Sequence, residues 1–215
     1  RRVVAFGGLD HFKAEHAPKG STLRCTDGCA VESTCPFSAL KIYYRNRTWL
    51  YVFDLPEEEP ARGEAILNCL KTTDYGRCVY HCDNDQPDHF VMSMEFEGNV
   101  TVNFSIEAFT SYSGRRTRIM GTRGDIVGDM EHFTLTDFAT GEKMVYDANA
   151  EDAENYKGAG HGGGDAGMIR DWIEAVRRQD ASVMSTPLDD SLESHIMAFA
   201  AEQSRKSGQV VELEH

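Results

Sequence analysis

Six cysteines and one glycine-flanked histidine are the residues whose types and spacing could do chemistry. The stretch "RCTDGCAVESTC" places Cys25, Cys29 and Cys35 in one short segment. "GRCVYHCDND" adds Cys78 and Cys82, which a strand would put on one face, beside His81 and near His89. Three or four thiolates gathered by folding suit tetrahedral zinc, a borderline-soft ion that sulfur and imidazole bind well. Cys25, Cys29, Cys35 and Cys82 are accordingly the candidate metal ligands. The spacing is nevertheless C-x3-C-x5-C rather than paired C-x2-C knuckles, so reduced, metal-free thiols are preferred over zinc. A chain of 215 residues can build a core without disulfide staples. Cys69 falls on a helical apolar stripe and belongs to the core.

The second candidate is "GHGGGDAGMIRDWIEAV", where three glycines run into an amphipathic helix. A dinucleotide fingerprint needs G-x-G-x-x-G between a strand and a helix, so that peptide N–H groups and the helix dipole face the pyrophosphate. Here no hydrophobic strand precedes the glycines, and the Asp165 carboxylate would occupy the place of the phosphate. The Lys-Ser/Thr pair of a Walker loop is also missing. What remains is His161, which titrates near neutrality, held on glycines beside a helix that Asp165 would N-cap. His161 and Asp165 are therefore the candidate substrate-binding residues, suited to holding a substrate hydroxyl. Arg116 and Arg118 alternate onto one strand face beside Arg115, where they would hold an anion or blunt a sheet edge. No nucleophile triad can be argued from spacing.

The elements that must position these residues follow from periodicity. A strand over residues 3–6 breaks at Gly7-Gly8 into a long loop. A short helix is expected from Pro36 onward and a second from Pro60, carrying Ile66, Cys69 and Leu70. Strict alternation over 90–96 and 100–108 around "EGN" predicts an antiparallel hairpin. Further strands follow over 116–120, 125–130, 133–136 and 143–146. Two helices come last. The first carries the stripe Met168, Ile169, Trp172, Ile173 and Val176. The second is capped by Asp190 with Glu193, buries Leu192, Ile196, Met197, Phe199 and Ala200, and is stopped by Gly208. The fold class is α+β, an open, mostly antiparallel sheet with helices packed on one face. The hairpin's other face, with Thr101, Asn103, Ser105 and Glu107, is polar but mostly uncharged. It is either solvated or covered by a second subunit.

A net charge of −13 leaves no basic surplus for nucleic acid. No apolar run approaches the roughly 20 residues needed to cross a bilayer, so a cytoplasmic protein without membrane or nucleic-acid partners is expected. The N-x-S/T triplets at Asn46, Asn99 and Asn103 then carry no weight. The chain opens on Arg1-Arg2 without Met, and residues 213–215 look like a tag remnant. Residues 1–212 are expected to form a single domain cut from a longer protein.

Taken in order, "VVAFGGLDHFKAEHAPKG", "RCTDGCAVESTCPFSALKIYY", "YGRCVYHCDNDQPDHFVMSMEFEGNVTVNFSIEAF", "RIMGTRGDIVGDM", "GHGGGDAGMIRDWIEAV" and "SLESHIMAFAAEQSRKSGQVVEL" resemble the C-terminal domain of the glucose-fructose oxidoreductase, inositol dehydrogenase and MocA family. The resemblance implies an NAD- or NADP-dependent oxidoreductase acting on a sugar, polyol or related compound. In that family a Rossmann domain precedes this one and binds most of the cofactor. The C-terminal domain walls the substrate pocket and supplies its open sheet to a homodimer or homotetramer. The family's glycine fingerprint, lysine segment and His/Asp-bearing helix would all precede residue 1. No catalytic or cofactor-binding residue can therefore be assigned here, and this piece alone should be inactive. The alternative is a stand-alone sugar- or metal-binding module without redox activity, and a zinc-dependent hydrolase built on the Cys/His set is a third reading.

Overall fold

A computed structural model describes residues 1–112, 114–129, 131–147, 150 and 163–213. The chain divides into two compact units, Arg1–Phe109 with Ala201–His215, and Thr110–Ala200. The fold is α+β, with every strand pairing antiparallel among the described residues. The strands form two four-stranded sheets, one in each unit.

The first sheet contains β1 (Arg2–Gly8), β2 (His89–Glu95), β3 (Thr101–Glu107) and β8 (Val211–Glu212), in the order β3-β2-β1-β8. The predicted antiparallel hairpin forms, although every residue of the edge strand β3 is exposed. Val3 and Ala5 of β1 are buried and lie opposite Met94 and Met92 of β2. Those methionines lie opposite Val102 and Phe104 of β3. On the other face, Ser93 donates to the Asn103 side-chain oxygen at 2.7 Å. Residues of the polar face thus begin to satisfy one another across strands. Ser204 is buried and ties the end of the chain to the sheet, accepting from the Ala5 N–H at 3.0 Å while donating to the Gln209 carbonyl.

Helix α1 (Ala61–Thr72) begins just after Pro60 as expected and buries Ile66 and Leu70. With Ala39 these form a small core, against which Cys25, Tyr43, Tyr44 and Phe53 pack. Fully burying two such aliphatic side chains stabilises by about 3–6 kcal/mol in all. Two earlier expectations change here. No helix starts at Pro36; instead a single π-type turn spans Leu40–Arg45, and the Ser38 hydroxyl accepts from the Lys41 N–H at 3.0 Å in front of it. The segment with Cys78 and Cys82 is a turn rather than a strand, closed by the His81 N–H on the Cys78 carbonyl at 3.0 Å. The two cysteines therefore do not share a strand face.

The second sheet runs β4 (Thr117–Met120), β5 (Gly124–Gly128), β6 (His132–Asp137) and β7 (Lys143–Asp147) as a meander. Helix α2 (Gly164–Arg178) follows, then α3 (Leu188–Ser207), within which the division between the units falls. Helix α3 starts before Asp190, so the expected Asp190/Glu193 cap lies inside the helix. Gly208, at φ 68°, ends it as expected, its N–H reaching the Ser204 carbonyl at 2.8 Å.

Helical periodicity gives the apolar stripes but does not say what covers them, and the expected burial of Leu192, Ile196 and Phe199 on α3 does not hold. On α2, Met168, Ile169, Trp172, Ile173 and Val176 are all more than half exposed, and Ala175 is the buried residue. On α3, Phe199 is 73% exposed and Leu192 57%, whereas Ala200, Ala201 and Ser204 are buried. The face of α3 that packs is lined with small residues, which let a helix approach its neighbour closely.

Candidate functional site

Two neighbouring clusters in the first unit bring together most of the chemically able side chains. The first is organised by Asp88, immediately before β2. Its main chain joins the sheet ends, donating to the Gly8 carbonyl and accepting from the Ala108 N–H, both at 2.9 Å. Its buried Oδ2 accepts the backbone N–H groups of Asp10, His11 and Phe12 at 3.1, 2.7 and 3.1 Å. One carboxylate thereby fixes the loop that leaves β1. Oδ1 faces His89 Nδ1 at 3.0 Å, and His89 Nε2 lies 3.5 Å from Asp10. Burial alone would raise the Asp88 pKa, but the hydrogen bonds from His89 and the three N–H groups outweigh it. They hold the carboxyl well below the usual range. The Asp88 hydrogen bond correspondingly raises the pKa of His89.

The fixed loop presents His11, whose Nε2 lies 3.0 Å from the Tyr80 hydroxyl. Around it pack Phe12, Phe37, Tyr80 and Phe109, with the His11 and Phe109 rings edge-to-face at 5.0 Å. An imidazole with a phenol partner, beside a carboxylate and a second imidazole, can donate to and accept from a hydroxylated ligand. Sequence reasoning missed this group because its members lie in five separate segments. The available signal was "DHF" at the start of the alternating run, where a charged residue precedes a strand that reads as half-buried.

The second cluster shares Phe37 and Tyr80 with the first. Cys25, Cys29, Cys35 and Cys78 line one small cavity of about 20 Å³, together with Glu32 and Ser38. A short antiparallel bridge creates it: the Cys25 N–H donates to the Gly76 carbonyl at 3.1 Å and the Cys78 N–H to the Leu23 carbonyl at 2.9 Å. Between those contacts, Arg24 and Arg77 pair. Arg24 also caps the end of α1, donating to the Leu70 and Thr73 carbonyls at 3.0 and 2.6 Å. Gly76 is required at this crossing, since a Cβ there would lie 1.7 Å from the Leu70 carbonyl oxygen. Burial pushes the Cys25 thiol up, opposed by the Ala39 N–H on its sulfur at 3.4 Å and reinforced by the neighbouring thiols. Burial likewise raises Cys78, opposed by the N–H groups of Tyr80 and His81.

Of the four expected metal ligands, the structure brings together Cys25, Cys29 and Cys35, and Cys78 takes the place of Cys82. Cys82 lies in the following turn and directs its thiol to the Val79 carbonyl at 3.3 Å. All six cysteines are unpaired, and Cys69 is half-buried. Among the described residues no three His, Cys, Asp or Glu side chains already stand as a metal-binding group.

His161 lies outside the described residues. Asp165 is exposed in the first turn of α2, next to an open hollow that described residues of α2 alone line. Gly163, at φ 89°, precedes the helix without a side-chain cap, so Asp165 complements the helix dipole from inside the first turn instead of capping it. Arg118 pairs with Asp125 at 2.9 Å, and Arg116 lies over the Tyr112 ring at 4.3 Å. Both arginines thus have neighbours of their own. The described residues do not fit a dinucleotide cradle: no parallel strand pair feeds a helix, and the glycine-led helix carries a carboxylate where phosphate would sit.

A family model for the C-terminal alpha/beta domain of an oxidoreductase family matches residues 56–213. The chain belongs to this family, that of glucose-fructose oxidoreductase, inositol dehydrogenase and MocA. Among solved structures, an oxidoreductase from Agrobacterium radiobacter in complex with NAD+, L-tartaric acid and magnesium is similar at 16% identity. That match covers 59% of this chain and 38% of that one, with a TM-score of 0.48. A protein assigned as an oxidoreductase from Thermotoga maritima is similar at 20% identity over 67% of this chain and 38% of that one, TM-score 0.42. The matches thus span little more than a third of those chains. No curated protein matches. No helix among the described residues is long and apolar enough to cross a membrane.

Proposed function

We propose that this chain is the substrate-recognition and oligomerisation domain of an NAD(P)-dependent oxidoreductase acting on a sugar, polyol or related compound in the cytoplasm. The observation that carries the reading is the family match across residues 56–213. A preceding Rossmann domain would hold the nicotinamide cofactor, which supplies hydride acceptance or donation. The residues described here do the work of the substrate side. Asp88 locks the loop after β1, so the exposed His11, held from behind by the buried Tyr80 hydroxyl, is presented in a fixed geometry able to bind a substrate hydroxyl. The apolar stripe of α2, more than half exposed, supports a face that is covered in the assembled dimer or tetramer. His161 and Asp165 remain proposed pocket residues on the same grounds of residue type and position.

The test is the activity of the full-length protein against a sugar and polyol panel with NAD+ and with NADP+, repeated for His11→Ala and His161→Ala. A substrate-binding role raises KM by about tenfold or more, the equivalent of about 1.4 kcal/mol for one lost hydrogen bond. Unchanged kinetics in a variant removes that histidine from the site. Failure of the whole panel with both cofactors sinks the assignment of substrate class.

A further inference from the structure

We propose that Cys25, Cys29, Cys35 and Cys78 form a tetrathiolate zinc site, a structural ion fastening the loop of residues 20–38 to the turn that carries Tyr80. The four cysteines come from two distant segments and line the same cavity. The chain brings them there through the paired Cys25–Gly76 and Cys78–Leu23 backbone hydrogen bonds. Tight turns place the other two: the Glu32 N–H closes on the Cys29 carbonyl at 3.2 Å, and the Cys35 N–H on the Val31 carbonyl at 3.0 Å. Four cysteines lining one cavity on a closed turn scaffold are the donor set that structural zinc takes.

Size and electrostatics select the occupant. A cavity of about 20 Å³ has room for one atom-sized guest, not for an iron–sulfur cluster with its bridging sulfides. Thiolate sulfurs in such sites are stabilised by peptide N–H groups, as ligand orientation and charge require. Here the Ala39 N–H points at Cys25, and those of Tyr80 and His81 favour the charged form of Cys78. The remaining polar liner, Glu32, is already engaged by Arg45 at 2.6 Å and by the Ser38 hydroxyl, so it does not compete as a ligand. Cys82, with its sulfur on the Val79 carbonyl, stands outside.

The thiols surround the cavity without yet converging, so closure on Zn²⁺ turns the four side chains inward. Each thiol releases its proton to solvent as its Zn–S bond forms, leaving a site of net charge −2. The site is independent of the proposed substrate class, because its measurements need no turnover.

The test uses the purified 215-residue chain expressed in zinc-supplemented medium and measures bound metal by elemental analysis. About one zinc ion per chain is expected, released by a thiol-modifying mercurial into a chelating dye. Cys25→Ser and Cys78→Ser should each bring the zinc content close to zero, and Cys82→Ser should leave it unchanged. Cobalt added in place of zinc should give the thiolate-to-metal charge-transfer absorption of a four-sulfur site, which keeps the test decisive if a serine variant fails to fold. The proposal is overturned by four readily titrated thiols with no bound metal, by iron with inorganic sulfide, or by loss of zinc in Cys82→Ser but not in Cys78→Ser.

Discussion

The corner around Asp88 and the four thiols and the glycine-led start of α2 both carry residues able to do chemistry, but the fold treats them differently. In the first, long-range contacts define each group: Asp88 holds a loop 76 to 78 residues away, and Cys25 meets the neighbourhood of Cys78 across a backbone bridge. Among the described residues no buried side-chain nitrogen or oxygen there lacks a partner. In the second, Asp165 lies exposed in the first turn of its own helix, and the adjoining apolar stripe is exposed. A site specified by distant parts of one chain is rigid by itself. A site specified by local chain depends on whatever else packs on it.

That contrast predicts a gradient of mutational effects. Gly76→Ala should be the most damaging, because its Cβ would sit 1.7 Å from a backbone oxygen that has no room to retreat. A loss of about 3 kcal/mol or more is expected in urea denaturation, with the thiol cavity opened as well. A midpoint equal to wild type would mean that the bridge between residues 23–25 and 76–78 is not formed in solution.

Asp88→Ala comes next. It orphans three backbone N–H groups and costs about 3 kcal/mol, whereas Asp88→Asn keeps one acceptor oxygen and costs about 1 kcal/mol. The sign of the pH dependence separates the charge from the shape. The Asp88 pKa is depressed from an unfolded value near 3.8, so its contribution is complete above that value and is lost as pH falls toward the folded one. Wild type should therefore lose stability steadily below about pH 4, and Asp88→Asn should show a flatter acid limb. His89 works in the opposite sense. Its raised pKa stabilises below about 6.5 and the effect fades as pH climbs past the folded value. Parallel acid limbs for wild type and Asp88→Asn would remove the carboxylate's charge from the account.

Local pattern made much of the fold legible. The hairpin of β2 and β3, the four-strand meander, α1 and both terminal helices follow from alternation, helical spacing and turn residues, because these are short-range properties. The sites were less legible. Cys25, Cys29 and Cys35 lie close in the chain, so their grouping was visible, but choosing Cys78 over Cys82 required knowing that residues 77–82 turn rather than extend. Strand geometry would have put Cys78 and Cys82 on one face, whereas a turn separates them. Asp88 gave no local sign beyond a charge placed just ahead of a half-buried strand, since its partners are backbone N–H groups, which every residue except proline carries.

The smallest effect should come from the second region. Ile173 lies in the middle of the α2 stripe and is 54% exposed. If that stripe were core, replacing Ile173 with a polar residue would cost about 2–5 kcal/mol, as truncations in packed interiors do. On an uncovered helix face, Ile173→Gln should change unfolding of this chain by no more than about 0.5 kcal/mol. The same substitution should act on assembly in the full-length protein, because the apolar area would there be buried against a partner. Sedimentation of full-length wild type and variant at several concentrations reads this directly: a shift toward smaller species with unchanged unfolding supports a covered face. A large loss of stability in the 215-residue chain would instead mean that the stripe already packs within it, and the contrast between the two regions would collapse.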